Sequence, residues 1–196
     1  MDPQPSVAPL ERRARDLARL ADGTWDLLVV GGGIVGAGIL LDAVSRGLSA
    51  ALIEADDIAA GTSGRSSRLI HGGLRYLEQR QVALVREALA ERARLLDLAP
   101  HLVRLEPLLF PLYGPPAVTR AFYGTGIAFY DLLGSARRGG RSRHLGVRGT
   151  LELAPPLRRA GLRGGIVYHD AVEDDARYTL AVVRTAQARG AAARLR

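Results

Sequence analysis

Two apolar runs near the start of the chain flank one helical stripe, and glycine punctuates all three. Asp26-Leu-Leu-Val-Val30 is short, partly β-branched and stops at three consecutive glycines, the pattern of a buried parallel strand. From Ile34 to Arg46 the apolar residues Ile34, Val35, Ala37, Leu41 and Val44 recur at helical spacing, and Gly47 supplies a C-terminal stop. Leu48 to Glu54 reads as a second buried strand. Together they make a strand, glycine turn, helix, strand unit of about 30 residues, the size of a right-handed βαβ crossover.

Further along, Ala59 to Gly73 is polar and glycine-rich and reads as a long loop. A helix is predicted over Val82–Leu98, with Val82, Val85, Leu89 and Leu96 on one face, Arg86, Glu87, Glu91 and Arg94 off it, and Pro100 ending it. Between Leu105 and Tyr130 the prolines at 107, 111, 115 and 116 interrupt aromatic and β-branched residues, which predicts short strands or loops. Gly165 to Asp170 reads as another strand. Asp174 or Asp175 then caps a helix to about Arg189, closed by Gly190. Ala191 to Arg196 falls where an α/β sheet receives its next strand, so the chain is expected to stop mid-fold, with an open sheet edge prone to aggregation. Residues 1–24 form a leader, either frayed or a short amphipathic helix carrying Leu10, Leu17 and Leu20. There is no internal repeat.

Composition narrows the function classes. With 47% hydrophobic and 24% charged residues the chain reads as an ordinary globular protein of one domain, or part of one. It has no cysteine, hence no disulfide, thiolate metal site or cysteine nucleophile, and redox chemistry would need a bound cofactor. No apolar run approaches the roughly 20 residues that span a bilayer, and the arginine-bearing start lacks a signal-peptide core; a cytoplasmic location is the default. The net charge of +7 is concentrated in residues 134–165, where eight arginines face the single acid Glu152. That stretch is rich in Gly and Pro and has no aromatic residue for base stacking. It reads as a solvated basic loop before an anionic membrane surface or an acidic partner, with nucleic acid not expected. All 27 basic residues are arginine, which points to coding bias as much as to phosphate contacts.

The chemistry begins at Gly31-Gly-Gly-Ile-Val-Gly36, a G-x-G-x-x-G motif at the join of a predicted strand and helix. Gly31 permits the tight turn, Gly33 lets backbone approach a pyrophosphate, and Gly36 lets helix pack on strand, while the helix N-terminus favours the anion. Glu54, 18 positions after Gly36, is placed to accept from a ribose hydroxyl, and its charge disfavours a 2′-phosphate and so NADP. FAD and NAD both present an ADP group, so this motif leaves the choice between them open.

The following segment carries a resemblance. Thr62-Ser-Gly-Arg-Ser-Ser-Arg-Leu-Ile-His-Gly-Gly-Leu-Arg-Tyr-Leu77 closely resembles the signature after strand two in FAD-dependent glycerol-3-phosphate dehydrogenases. The order of Gly31 to Gly38, Glu54, this segment and Asp174-Asp-Ala-Arg177 is also similar to that family's, from about Trp25 to Gly190. The resemblance implies an α/β, Rossmann-like FAD-binding domain of the glutathione-reductase type over residues 25–196, incomplete, with part of a substrate-binding region interleaved. It implies cofactor contacts from Thr62, Ser63, Ser67, His71, Gly72 and Gly73, and it places Arg75 and Tyr76 toward the phosphate of the substrate. An arginine fork and a directional tyrosine hydroxyl suit that role. For Ser66 a loop-stabilising role weighs equally with a cofactor contact. Asp174, Asp175 and Arg177 read as a helix cap with an internal ion pair.

The activity so implied is oxidation of sn-glycerol 3-phosphate to dihydroxyacetone phosphate with electrons passed to a quinone, at a peripheral position on the inner face of the cytoplasmic membrane. No residue is named as the catalytic base, and no metal site is read. Members of the family run well over twice this length, so the resemblance also implies a truncated chain. Departures from the family pattern are Val35 for a polar residue, Gly64 for Ser, Arg68 for Lys and Glu173 for an apolar residue, the last suggesting a more exposed turn. Two other readings stay open: another FAD-dependent amine or hydroxy-acid oxidoreductase, and a non-catalytic nucleotide-binding or basic interaction module.

Overall fold

The computed structural model describes residues 9–71, 81–114, 123–128 and 141–195. It divides into two units, Met1–Ser67 with Asp174–Arg196, and Arg68–Glu173.

The first unit is built on the predicted βαβ crossover. Strand β1 (Leu27–Val30) leads through the glycines into helix α2 (Ile34–Ser45), and strand β2 (Ala50–Glu54) returns parallel to β1 with Leu27 opposite Ala50 and Val30 opposite Ile53. Strand β7 (Ala192–Leu195) joins the far side of β2, also parallel, so the sheet order is β1-β2-β7. Helix α5 (Asp175–Ala188) precedes β7 and packs on α2. The seam is made of small residues: Ala43, Ala50, Ala186 and Ala191 are buried with Val29, Leu40 and Leu52. Small side chains let helix backbones approach the sheet closely, where dispersion contacts are densest.

Local chemistry sets the ends of these elements. Asp174 is the N-cap of α5, its carboxylate accepting from the Arg177 N–H at 3.2 Å, and the Gly190 N–H donates to the Gln187 carbonyl at the other end. The predicted cap is therefore present, but the predicted ion pair with Arg177 is not formed; Arg177 is engaged through its backbone, and Asp175 instead takes the Ser66 hydroxyl. The leader contains helix α1 (Pro9–Asp22), with proline at the first helical position, where its missing N–H costs nothing. The α1 residue Arg19 donates to the Gly190 carbonyl at 3.0 Å and stacks 5.7 Å from the centre of the Trp25 ring.

The second unit is antiparallel. Strand β6 (Leu162–Glu173) pairs with β4 (Val103–Tyr113), with the short β3 (Leu69–Ile70) and with β5 (Arg143–Leu145). The prediction of short strands or loops after Leu105 is corrected here: β4 is one strand of 11 residues containing Pro107 and Pro111. It lies at the end of the β3-β6-β4 order, and its two prolines are four residues apart, so both imide nitrogens can fall on the free edge where no ladder N–H is required. Likewise β6 runs far beyond the predicted Gly165–Asp170, and β3 lies inside the segment read as loop. Glu173, expected in an exposed turn, is the last residue of β6, and its N–H donates to the Arg68 carbonyl at 3.0 Å.

Helix α3 (Val82–Leu98) matches its predicted span. It buries Val85, Leu89 and Leu96 and, in the same stripe, Arg92, whose guanidinium meets Asp170 of β6 at 2.7 Å with both side chains 2% exposed. Burial, and after it the Asp170 charge, raises the Tyr168 phenol above its ordinary pKa. Residues 123–128 are helical and contribute Ile127 to a second cluster with Leu112 and Ile166, capped by the Phe110 and Tyr123 rings at 5.0 Å. The stretch read as a basic loop, 134–165, holds β5 and helix α4 (Val147–Leu153) in its described part. Several of its arginines have structural partners: Arg148 pairs with Glu152, Arg158 lies over the Tyr113 ring and Arg163 reaches the Gly114 carbonyl.

Candidate functional site

At the carboxyl end of β1 the chain reverses through Gly31, whose φ of +110° is open to glycine and strained for any residue with a Cβ. Its N–H remains in the sheet, donating to the Ile53 carbonyl at 2.9 Å. Helix α2 then starts directly beneath the turn. A Cβ on Gly36 would collide with the Gly31 carbonyl oxygen and touch Val29, so the missing side chain is what lets the first turn of α2 lie against β1. The N–H groups of Val35 and Gly36 fall in that first turn, where a helix has no acceptor of its own for them. These are the donors, aided by the helix dipole, that an anionic group would meet.

Two side chains frame these amides. Glu54, at the end of β2, accepts from the Gly32 N–H through Oε2 at 2.6 Å and from the Asp56 N–H through Oε1 at 2.9 Å. The Gly32 bond first, then the Asp56 bond, hold its carboxyl below the usual carboxylate range. A carboxylate has about four lone-pair sites, so one remains on each oxygen for ribose hydroxyls. Ser63 stands in a 3₁₀ turn (Thr62–Gly64) and its Oγ accepts from the Ile34 N–H at 2.9 Å. With its oxygen so engaged, the hydroxyl proton is free to be donated to a phosphate oxygen. A Cβ on Gly33 would come within 3.1 Å of the same Oγ, so the cradle between the glycine turn and Ser63 is narrow. The donor set, with uncharged amides and hydroxyl around the helix start and a carboxylate beyond, fits the ADP part of a dinucleotide.

The predicted residues divide by location. Gly31, Gly33, Gly36, Glu54, Thr62, Ser63 and Ser67 belong to the first unit, and the hydrogen bonds just described join Glu54 and Ser63 to the glycine turn. Thr62 opens the 3₁₀ turn, accepting from the Arg65 N–H at 3.0 Å, while Ser67 is exposed. His71 is exposed and belongs to the second unit. Gly72, Gly73, Arg75 and Tyr76 lie outside the described residues. A groove of about 480 Å³ runs along β1 to the glycine turn, lined by Leu28, Val30, Gly33, Val35, Gly36 and Ile39. Val35, the departure from the family pattern, lines it and is 72% exposed.

Sequence reasoning did not find the Ser63 bond to Ile34, the Asp56 bond to Glu54 or the contact of Ser66 with Asp175. Nor did it find the buried Arg92–Asp170 pair, although a signal existed: position 92 belongs to the 85, 89, 92, 96 stripe of the predicted helix. Among the described residues no cluster of three or more His, Asp or Glu is placed to hold a metal ion, and no helix is long and apolar enough to cross a membrane.

The chain is 50% identical over 193 residues to a glycerol-3-phosphate dehydrogenase of Mycobacterium leprae (strain TN), covering 98% of this chain and 33% of that protein. It is 42% identical over 172 residues to the aerobic glycerol-3-phosphate dehydrogenase of Staphylococcus saprophyticus subsp. saprophyticus, covering 88% of this chain and 31% of the relative. It therefore spans about a third of the length of these curated relatives. Among solved structures, the glycerol-3-phosphate dehydrogenase from Bacillus halodurans complexed with FAD superposes with a TM-score of 0.67 at 34% identity, over 94% of this chain and 29% of that one. The profile of the family described as FAD dependent oxidoreductase matches residues 26–196, and the chain belongs to that family.

Proposed function

We propose that the chain supplies the ADP-binding end of a flavin site, and part of the substrate site, for oxidation of sn-glycerol 3-phosphate to dihydroxyacetone phosphate. The observation that carries this reading is the narrow cradle in which Glu54 and Ser63 are both hydrogen-bonded to the glycine turn that opens α2. The 50% identity over nearly the whole chain supports the choice of substrate.

The work of the described residues is binding and orientation. The first-turn amides of α2 take the pyrophosphate, Ser63 donates its proton to a phosphate oxygen, and Glu54 receives the ribose hydroxyls. Thr62 and Ser67 add uncharged donors on the loop, and the family resemblance implies further cofactor contacts from His71, Gly72 and Gly73. For Arg75 and Tyr76, which lie outside the described residues, the resemblance implies contact with the substrate phosphate, Arg75 as a planar fork and Tyr76 as a directional donor. The flavin, when bound, supplies the acceptor for the hydride leaving C2 of the substrate. A base would take the C2 hydroxyl proton, and a quinone would be the final electron acceptor. A quinone acceptor implies a peripheral position at the inner face of the cytoplasmic membrane.

The test is a visible spectrum of the purified chain after incubation with FAD and removal of free dye, followed by glycerol 3-phosphate without oxygen. Retained flavin is the expected result, and bleaching by glycerol 3-phosphate would show this part of the substrate site sufficient for hydride transfer. Retained flavin bleached instead by an amino acid or a 2-hydroxy acid would move the substrate to another member of the family, and failure to retain flavin would remove the cofactor reading.

A further inference from the structure

Two successive acids open helix α5, and the helix needs only one of them. Asp174 caps it by accepting from the Arg177 N–H, so the carboxylate of Asp175 is released from the helix and turns to the Ser66 hydroxyl, 109 residues away in sequence. Ser66 follows directly on a closed turn: Gly64 N–H donates to the Gly61 carbonyl at 3.2 Å and Arg65 N–H to the Thr62 carbonyl at 3.0 Å. The other end of this segment is tied as well, through the Ala59 N–H to the Gly32 carbonyl at 3.0 Å. A 3₁₀ turn held at both ends has few degrees of freedom left, and the residue it carries at its centre is Ser63, on the Ile34 N–H.

We infer that Asp175 is a positioning residue for cofactor binding: through Ser66 it fixes the 61–66 turn so that the Ser63 hydroxyl stays on the first amide of α2. The helix that bears Asp175 is itself packed on α2, so the anchor and the amide belong to one layer of the first unit and keep their spacing. Without the anchor the Ile34 amide loses its partner for part of the time, and a phosphate oxygen finds Ser63 in more than one orientation. The inference rests on the flavin reading of the site given above.

The experiment compares the full chain with Ser66→Ala, Asp175→Ala, Asp175→Asn and the double alanine variant, measuring the FAD dissociation constant, the melting temperature and hydrogen exchange at the Ile34 amide without flavin. Ser66→Ala leaves the acidic start of α5 intact and removes the anchor. A lost hydrogen bond of ordinary strength weakens FAD binding by about three- to tenfold in either alanine variant. The double variant is weaker than the wild type by less than the sum of the singles, because both remove the bond between Ser66 and Asp175. Asp175→Asn, which keeps an acceptor oxygen, restores most of the affinity, and Ile34 exchange rises in the alanine variants with little change in melting temperature. An Ile34 exchange rate or an FAD affinity unchanged in Ser66→Ala overturns the inference. If the unsubstituted chain binds no FAD, the flavin reading falls by itself, and the exchange rate at Ile34 still decides whether Asp175 positions Ser63.

Discussion

The two units of this chain are held together by different devices. In the first, strands of four and five residues carry a parallel sheet whose helices come close because alanines line much of the seam and Gly36 opens the first turn of α2 onto β1. In the second, an antiparallel ladder of 11 and 12 residues surrounds a buried ion pair on a long helix. Close backbone approach depends on atoms that are missing, whereas a buried charge depends on a partner that is present. Substitution should therefore break the first by addition and the second by removal.

The largest expected effect is in the second unit. Asp170→Ala strands the Arg92 guanidinium in the core and should cost about 3–5 kcal/mol, whereas Arg92→Met combined with Asp170→Leu should recover most of it. Denaturant unfolding of the three chains decides the matter; a loss under about 1 kcal/mol in the single variant would mean that relaxation or water replaces the carboxylate. Next comes addition in the first unit. Gly36→Ala puts a methyl group against the Gly31 carbonyl, and overpacking of this kind costs about 1–3 kcal/mol. Because the displaced backbone is the proposed cofactor turn, flavin retention should fall further than the melting temperature suggests. Equal losses of binding and stability would show that the turn simply moves with its helix.

These two substitutions also mark how far the sequence could be read. The glycine turn, α2, β2, the α5 cap and the start of β7 were legible because each is specified within a few residues by apolar spacing, a glycine or a capping acid. The β4–β6 ladder was not, since its long pairing joins residues far apart in the chain, such as Arg104 with Val172 or Val103 with Glu173, about 70 positions away, and Pro107 and Pro111 make β4 look broken from within. A proline forbids an inner strand but not an edge, and edge status is a property of the whole sheet. The site shows the same division. Gly31, Gly33, Gly36 and Glu54 follow from the motif alone, but Ser63 on Ile34 and Ser66 on Asp175 exist only once distant segments meet.

A smaller effect separates capping from anchoring within one helix start. Asp174→Ala removes the bond to Arg177 N–H and should cost about 1 kcal/mol, restored by Asn or Ser. It should leave Ile34 exchange unchanged, because the anchor to the loop is Asp175. Finally, Glu54 gives the first unit an acid-sensitive element. Its folded pKa is lowered by the Gly32 and Asp56 N–H groups, so its stabilisation is fully present above the ordinary carboxylate range and is lost as pH falls through the lowered folded value. Glu54→Gln should flatten that acid limb in melting temperature against pH by lowering the neutral-pH plateau toward the acid value. An unaltered acid limb would assign it to other carboxylates, such as Asp26, lowered by the Ser49 hydroxyl and then its N–H, or Asp42, lowered by Arg46.

The contact of Arg19 with Trp25 has an optical consequence. Trp25 is the one tryptophan of the chain; its indole Nε1 is enclosed without a hydrogen-bond partner, and the ring has a guanidinium over it. Its fluorescence therefore reports one event, the docking of α1 where Arg19 reaches the Gly190 carbonyl. Undocking exposes the indole to water and shifts its emission to the red. The protein thus carries its own dye for watching its first helix settle, with no label added.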